Sequence, residues 1–208
     1  MSKTPVAGTS HEDAVRDFRR QRILEAARLV FSERGLEDAS VRSIAEAAGC
    51  TTGAIYSQFN GKEELYARVL ASSLTSLLAE VQAAADRGDT DAERLRGAVD
   101  AFFDYYRSRP SELALGLYLF RGLRPVGLGR ELDVELNGRV TDVLDVFSRA
   151  MTRVAPTADV ELETGSLFTH LLGLLIVDQT RRVRVTNRDS EALLRHCRET
   201  LIDRLEAS

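Results

Sequence analysis

Cysteine is nearly missing from this sequence: two residues, Cys50 and Cys197, lie far apart within helical patterns. That argues against a disulfide framework, leaves no cysteine spacing for a metal, and fits a reduced, cytoplasmic setting. Proline is also scarce, at four residues beside fourteen glycines, and no stretch alternates apolar and polar with period two. The expected class is therefore all-α. Long apolar runs are missing too. The longest, Leu171 to Val177, is far shorter than the roughly 20 residues that cross a bilayer. Met1 to Ser10 lacks the apolar centre of a signal peptide. No membrane partner is expected.

Nothing in the chain resembles a catalytic constellation. His11, His170 and His196 fall on three separate segments, with no Ser/His/Asp or Cys/His set and no glycine-rich phosphate loop. No enzymatic activity, metal or cofactor is expected. Positive charge is not in excess either: 28 Lys and Arg stand against 32 Asp and Glu, a net charge of −4. Up to residue 62 nine basic residues meet eight acidic ones, and beyond it nineteen meet twenty-four. A nucleic-acid partner would have to be held by a few placed groups and by pairing two copies.

What is present is concentrated between Ser40 and Leu65. Ser40 suits an N-cap, and Val41, Ile44, Ala45 and Ala48 recur at i, i+3, i+4 and i+7, the apolar face of a two-turn helix. Gly49 stands where a left-handed residue ends a helix. Thr51 can cap the next helix, with Ala54, Ile55 and Phe59 inward and Thr52, Gly53, Tyr56 and Ser57 left free. Ala45 and Ala48 allow two helices to cross steeply, the geometry of a helix-turn-helix. Asn60 with Glu63 resembles a capping box, which would set Lys62 at a helix N-terminus facing a phosphate.

Residues from about 22 to 70 resemble the DNA-binding domain of the tetracycline-repressor-like (TetR) family. The resemblance is carried by Ile23, Ala26, Ala27, Phe31, Gly35, Ser40, Val41, Ile44, Ala45, Ala48, Gly49, Ile55, Tyr56, Phe59 and the run Lys62-Glu63-Glu64-Leu65. Cys50 departs from the family's usual aliphatic residue, and a small buried thiol can fill that place. The resemblance implies that Thr52, Gly53, Tyr56 and Ser57 face the groove, while Ser40, Arg42, Ser43, Thr51, Tyr56 and Lys62 hold phosphates. The plain packing alternatives are that Tyr56 lies against Phe59 and that Thr51 is only a cap. Arg16, Arg19, Arg20 and Arg22 form either a solvated face or, for one or two of them, contacts to the DNA backbone or minor groove.

Along the chain, residues 1–9 are expected to be a disordered tail, 10–62 the helix-turn-helix domain, and 63–208 a helical bundle for ligand binding and dimerisation. Helices are expected from Ser10 to Gly35, from Gly61 to Ala85, and from a Thr90/Glu93 capping box to Pro110. Ser111 to Arg121, apolar on nearly all sides, should be deeply buried. Further helices are expected up to Pro156, from Asp159 to Val185, and from Asp189 to Leu205. The last two carry Leu167, Leu171, Leu174, Leu175, Leu194, Cys197 and Leu201, more apolar surface than one small bundle needs. A second copy, through a four-helix interface, is the expected cover.

Members of the family commonly bind a small molecule among the middle helices. Phe102, Phe103, Tyr106, Tyr118, Phe120, Phe147, Met151, Phe168 and His170 are the candidates here, with ordinary core packing as the alternative for each. Few buried charges accompany them, so an apolar or aromatic effector is expected. The functional expectation is a homodimeric repressor released from double-stranded operator DNA by that effector. The alternative is a ligand-binding or interaction bundle with a vestigial helix-turn-helix.

Overall fold

The computed structural model describes residues 11–117 and 127–207, and every regular element among them is helical. The tail at 1–9 and the candidates Tyr118 and Phe120 lie outside the described residues. The elements are α1 (His11–Asp38), α2 (Val41–Ala48), α3 (Thr52–Tyr56), α4 (Lys62–Asp86), α5 (Asp91–Ser108), α6 (Pro110–Gly116), α7 (Arg130–Val154), α8 (Val160–Gln179) and α9 (Ser190–Glu206). They form two compact units: one runs to Val69, and the other holds Leu70–Leu117 and the chain from Gly129 on. The helix-turn-helix unit thus keeps the first two turns of α4, beyond the expected boundary at residue 62.

In the first unit α1 turns Ile23, Ala26, Ala27, Val30 and Phe31 inward, one face at helical spacing. Ile44, Ala45 and Ala48 of α2, Ile55 of α3 and Leu65 and Tyr66 of α4 complete the core. Phe31 and Tyr66 meet edge to face at 4.9 Å. At Gly35 (φ 71°) α1 is interrupted, and one further turn follows. Ser40 caps α2, with Ser43 returning the bond to the Ser40 backbone. Gly49 ends α2 at φ 63°, and the Cys50 and Gly49 amides reach back to Ala45 and Glu46. This double closure needs a left-handed residue, which glycine adopts without steric cost. Asn60 does not pair with Glu63 as expected; its amide donates to Glu64 at 2.8 Å.

In the second unit α5 is central. Leu95, Val99, Phe102 and Phe103 pack with Leu77 and Val81 of α4, Val143, Phe147 and Met151 of α7, and Leu171 and Leu175 of α8. Thr90 and Glu93 form the expected capping box, Asp159 caps α8 and Asp189 caps α9. α6 begins with Pro110 at its first turn, where the missing N–H costs nothing. It buries Leu113, Leu115 and the carboxylate of Glu112, which accepts from Ser73 Oγ at 2.6 Å and Tyr105 Oη at 2.7 Å. Burial pushes the Tyr105 phenol up to about 12.

α8 stops at Gln179, short of the expected Val185, because Arg181 takes a left-handed conformation (φ 57°) and a 3-10 turn follows over Arg182–Thr186. By length and composition α8 could pass for a membrane span, with 20 residues and a mean hydropathy of 1.4 over an 18-residue window. The seven-residue apolar run understates how apolar the whole helix is. Here, though, its Leu167, Leu171, Leu174 and Leu175 are buried in the unit's own core.

An ion network ties α5 to α9. Arg96 Nη2 meets Glu199 at 2.9 Å, and Arg198 reaches both Glu199, at 2.8 Å, and Asp100. The bond from Arg96 holds the Glu199 carboxyl below its usual value of 4.5. Its contribution is therefore complete above pH 4.5 and lost as pH falls through the lowered value. Burial pushes neighbouring Asp100 the other way despite Arg198, so acid relieves a cost at that position. Glu199→Gln should lower stability at pH 7 by less than about 1 kcal/mol, because the pair is partly exposed. It should also flatten the decline of the urea midpoint below pH 4.5; an unchanged acid limb would remove Glu199 from the linkage.

Candidate nucleic-acid interface

α3 is a short helix anchored on one side and bare on the other. Ile55 is fully buried and Phe59, just beyond the helix, is 1% exposed, so the backbone is held from behind. The bare side carries Thr52, Gly53, Tyr56 and Ser57, all exposed. Tyr56 is 60% exposed and leaves Phe59 to Arg20, whose guanidinium lies 4.2 Å from that ring's centroid. A large aromatic left in water beside a fixed core has no packing role in the chain itself. Thr51 does act as a cap, its hydroxyl accepting from the Ala54 amide at 3.2 Å, and it keeps its own hydrogen for an outside acceptor. Ser57 donates to the Ala54 carbonyl at 2.8 Å.

Three of the residues expected to hold phosphates are otherwise engaged. Lys62 Nζ donates to the carbonyls of Leu36, Glu37 and Ala39 at 3.0, 3.2 and 3.3 Å, using all three of its hydrogens on the end of α1. Ser43 Oγ donates to the Ser40 carbonyl at 2.8 Å, and Ser40 Oγ to Ser43 Oγ at 3.2 Å. In this conformation neither serine has a hydroxyl hydrogen for a phosphate. Arg42 is exposed on α2 and enters none of these bonds.

Two cations have roles that the sequence does not reveal. Arg22 Nη2 donates to the Ala48 carbonyl at 2.8 Å, closing α2, and Arg20 Nη1 to the Gln58 carbonyl at 3.2 Å, just beyond α3. The available signal is an absence: α1, α2 and α3 carry no basic residue in their last turns. Carbonyl ends with no local cation invite one from elsewhere.

The candidate effector residues divide. Phe102 meets Tyr106, Phe147 and Phe168 edge to face at 5.2, 5.8 and 6.2 Å. Phe103 and Met151 are fully buried in the same core. His170 does not join them. It is exposed on α8, where it lines a groove between α8 and α9 with Ser166, Gly173, Leu193, Cys197 and Thr200. The apolar run around it suggests a pocket, but its helical position turns it outward.

The expected dimer residues divide likewise. Leu171 and Leu175 are fully buried within one chain, and Leu167, Leu174, Leu194 and Leu201 are nearly so. Leu167, Leu174, Leu201 and Cys197 floor the groove, whereas Leu171 and Leu175 face the chain's own core and are not available to a second copy. Burial pushes the Cys197 thiol up, away from reactivity. Among the described residues no cluster of three or more His, Cys, Asp or Glu could hold a metal.

Comparison with known proteins bears on this surface directly. A family model described as bacterial regulatory proteins, tetR family, matches residues 23–69, the span that builds and presents α3. The HTH-type transcriptional regulator SrpR of Pseudomonas putida is 34% identical over 173 residues, covering 79% of each chain. The HTH-type transcriptional activator FasR of Mycolicibacterium smegmatis is 38% identical over 104 residues, 50% of this chain and 48% of its own. The match therefore spans about half of FasR's length. Among solved structures, the transcriptional regulator FadR from Bacillus subtilis in complex with stearoyl-CoA has a TM-score of 0.71 at 20% identity, covering 88% of this chain and 97% of that one. This last likeness speaks for the fold alone. With α3 held from behind, its outer face bare, and SrpR aligned along most of both chains, the protein belongs to the TetR family of bacterial regulatory proteins.

Proposed function

We propose that the chain is a homodimeric, DNA-binding transcription regulator acting as a repressor in the cytoplasm, and that a small molecule in its second unit releases it. The observation that carries this reading is Tyr56, 60% exposed beside the bare Gly53 on a helix whose other face is buried. Tyr56, Thr52 and the Gly53 backbone would meet base edges in a major groove, with Ser57 at their border. Thr51 and Arg42 would meet phosphates. Ser40 and Ser43 shape the start of α2 and would join only by exchanging their mutual bonds. Two copies, paired through the α8/α9 groove, would set their recognition helices about 34–36 Å apart, one turn of duplex.

The effector is proposed to be apolar or aromatic, because the core around Phe102 that it would have to open is built of aromatic and aliphatic side chains. The stearoyl-CoA held by the B. subtilis FadR structure supports an effector with a long apolar part. Its binding would act through α4, whose residues belong to both units, and favour a state that does not fit both half-sites.

The test is a band-shift titration with duplex DNA flanking the chain's own gene, competed with random duplex. Specific binding should exceed random binding by at least about 10³-fold at physiological salt. Equal competition by both duplexes would defeat the operator reading.

A further inference from the structure

Three cations of the first unit share one arrangement, and it bears on how this surface is held. Lys62, Arg22 and Arg20 each come from a different helix than the one they serve. They donate respectively to the carbonyls ending α1, to the Ala48 carbonyl ending α2, and to the Gln58 carbonyl just past α3. None of those three helices has a basic residue in its own last turn. The last carbonyls of a helix lack partners within it and carry the negative end of its dipole, so a cation placed there is stabilising. Lys62 meets three carbonyls at 3.0–3.3 Å, which uses its full donor capacity. Arg20 adds the contact with the Phe59 ring, the residue that anchors α3. Gly49 keeps room for Arg22, whose Nη2 would lie 3.4 Å from a Cβ at that position.

From this we infer that Lys62, Arg22 and Arg20 are positioning residues that strap the three helices in register, and that Lys62, its three hydrogens already used, makes no phosphate contact, leaving the charge-dependent part of DNA affinity to exposed arginines such as Arg42. Two other cations of the unit fit this division. Arg16 pairs with Asp13 at 3.0 Å and Arg68 with Glu64 at 3.7 Å, while Arg42 stands exposed in the first turn of α2. The consequence is a recognition helix that is ready-made before DNA arrives and an interface poor in charge. Binding should then depend weakly on salt and strongly on fit.

The inference rests on the DNA-binding reading, and its test has one arm that does not need DNA. Lys3 and Lys62 are the chain's only lysines, so amine acylation followed by mass spectrometry reads them separately. In the full-length free protein Lys62 should react about tenfold more slowly than Lys3, since a charged hydrogen bond must open first, and a 30-base-pair random duplex should add no protection. Reaction at the rate of Lys3 in the free protein, with protection appearing only on the duplex, would overturn the strap.

In the second arm the same duplex is titrated across salt concentrations. Lys62→Met should weaken binding with the slope of log K against log salt unchanged. Arg42→Gln should flatten that slope by about 0.9 for each phosphate it leaves unneutralised, with the thermal midpoint unmoved. A Lys62→Met protein with a flattened slope and an unmoved midpoint would make Lys62 a phosphate ligand after all. If the wild-type chain binds no duplex even at low salt, the regulator reading fails, while the acylation rates in free protein still decide what Lys62 does.

Discussion

Replacing Gly53 with leucine should cost DNA binding on the order of a hundredfold, the worth of about two base contacts at 1–3 kcal/mol each. The chain itself should hardly notice. A Cβ built at Gly53 would meet nothing closer than Thr51 Oγ1 at 3.8 Å, ordinary van der Waals contact. Losing a glycine near the start of a helix is neutral to slightly favourable, by up to about 0.5 kcal/mol. Side-chain volume is thus tolerated by the protein and rejected only by whatever comes close to α3. Tyr56→Ala approaches the same surface from the other side, removing contact area where glycine to leucine adds bulk. The measurement is fluorescence anisotropy with the operator duplex, paired with thermal melting of each variant. A leucine variant that melts normally and binds as the wild type does would remove α3 from the interface.

A single charge at Gly173 should separate the two copies. Gly173 is exposed on α8 in the floor of the α8/α9 groove, and nothing lies within 4 Å of a Cβ placed there. Glycine inside a helix costs about 1 kcal/mol against alanine, so Gly173→Glu should leave one chain as stable as before or more so. In the proposed dimer the same carboxylate would be taken out of water in both copies, against a groove floor made largely of Leu167, Leu174, Leu193 and Leu201. That penalty is about 3–5 kcal/mol, on the order of a thousandfold in dimer affinity. Gly138→Glu on α7 is the matched control, because Gly138 is equally free of neighbours but lies outside the groove. Light scattering after size exclusion should show Gly173→Glu as a monomer and Gly138→Glu as a dimer, both helical by circular dichroism. Two dimers would place the interface elsewhere. Since each half-site raises the effective concentration at the other, the monomer should also bind its operator far more weakly.

Both predictions use the same physical device, a glycine whose neighbourhood is empty in one chain. Neither is legible in the sequence, because emptiness around a residue is a property of the folded surface. The local punctuation marks are legible. Ser40, Thr51, Thr90 and Asp189 cap their helices because a side-chain oxygen satisfying a free amide three residues on involves only adjacent backbone. Gly49 ends α2 for an equally local reason, and the α1 stripe from Ile23 to Phe31 follows from helical spacing.

Partners across the fold are where sequence reasoning goes astray. Opening a helix points Lys62 to a phosphate, yet residues 23 to 26 positions earlier claim its ammonium. An apolar run points Leu171 and Leu175 to a second copy, and they are consumed by their own bundle. The same run points His170 into a pocket, and it faces outward. In each case the sequence conveys the residue's chemistry but not its neighbour.

The sequence by itself determined the helical class, the helix-turn-helix between Ser40 and Phe59, and the residues turned outward on α3, since caps, a glycine stop and apolar periodicity act over four residues or fewer. Only the tertiary structure decided which cations are spent on helix ends and which leucines remain for a partner. A charge or an apolar face goes to whichever uncompensated group the packing brings nearest, and that distance exists only once the chain has folded.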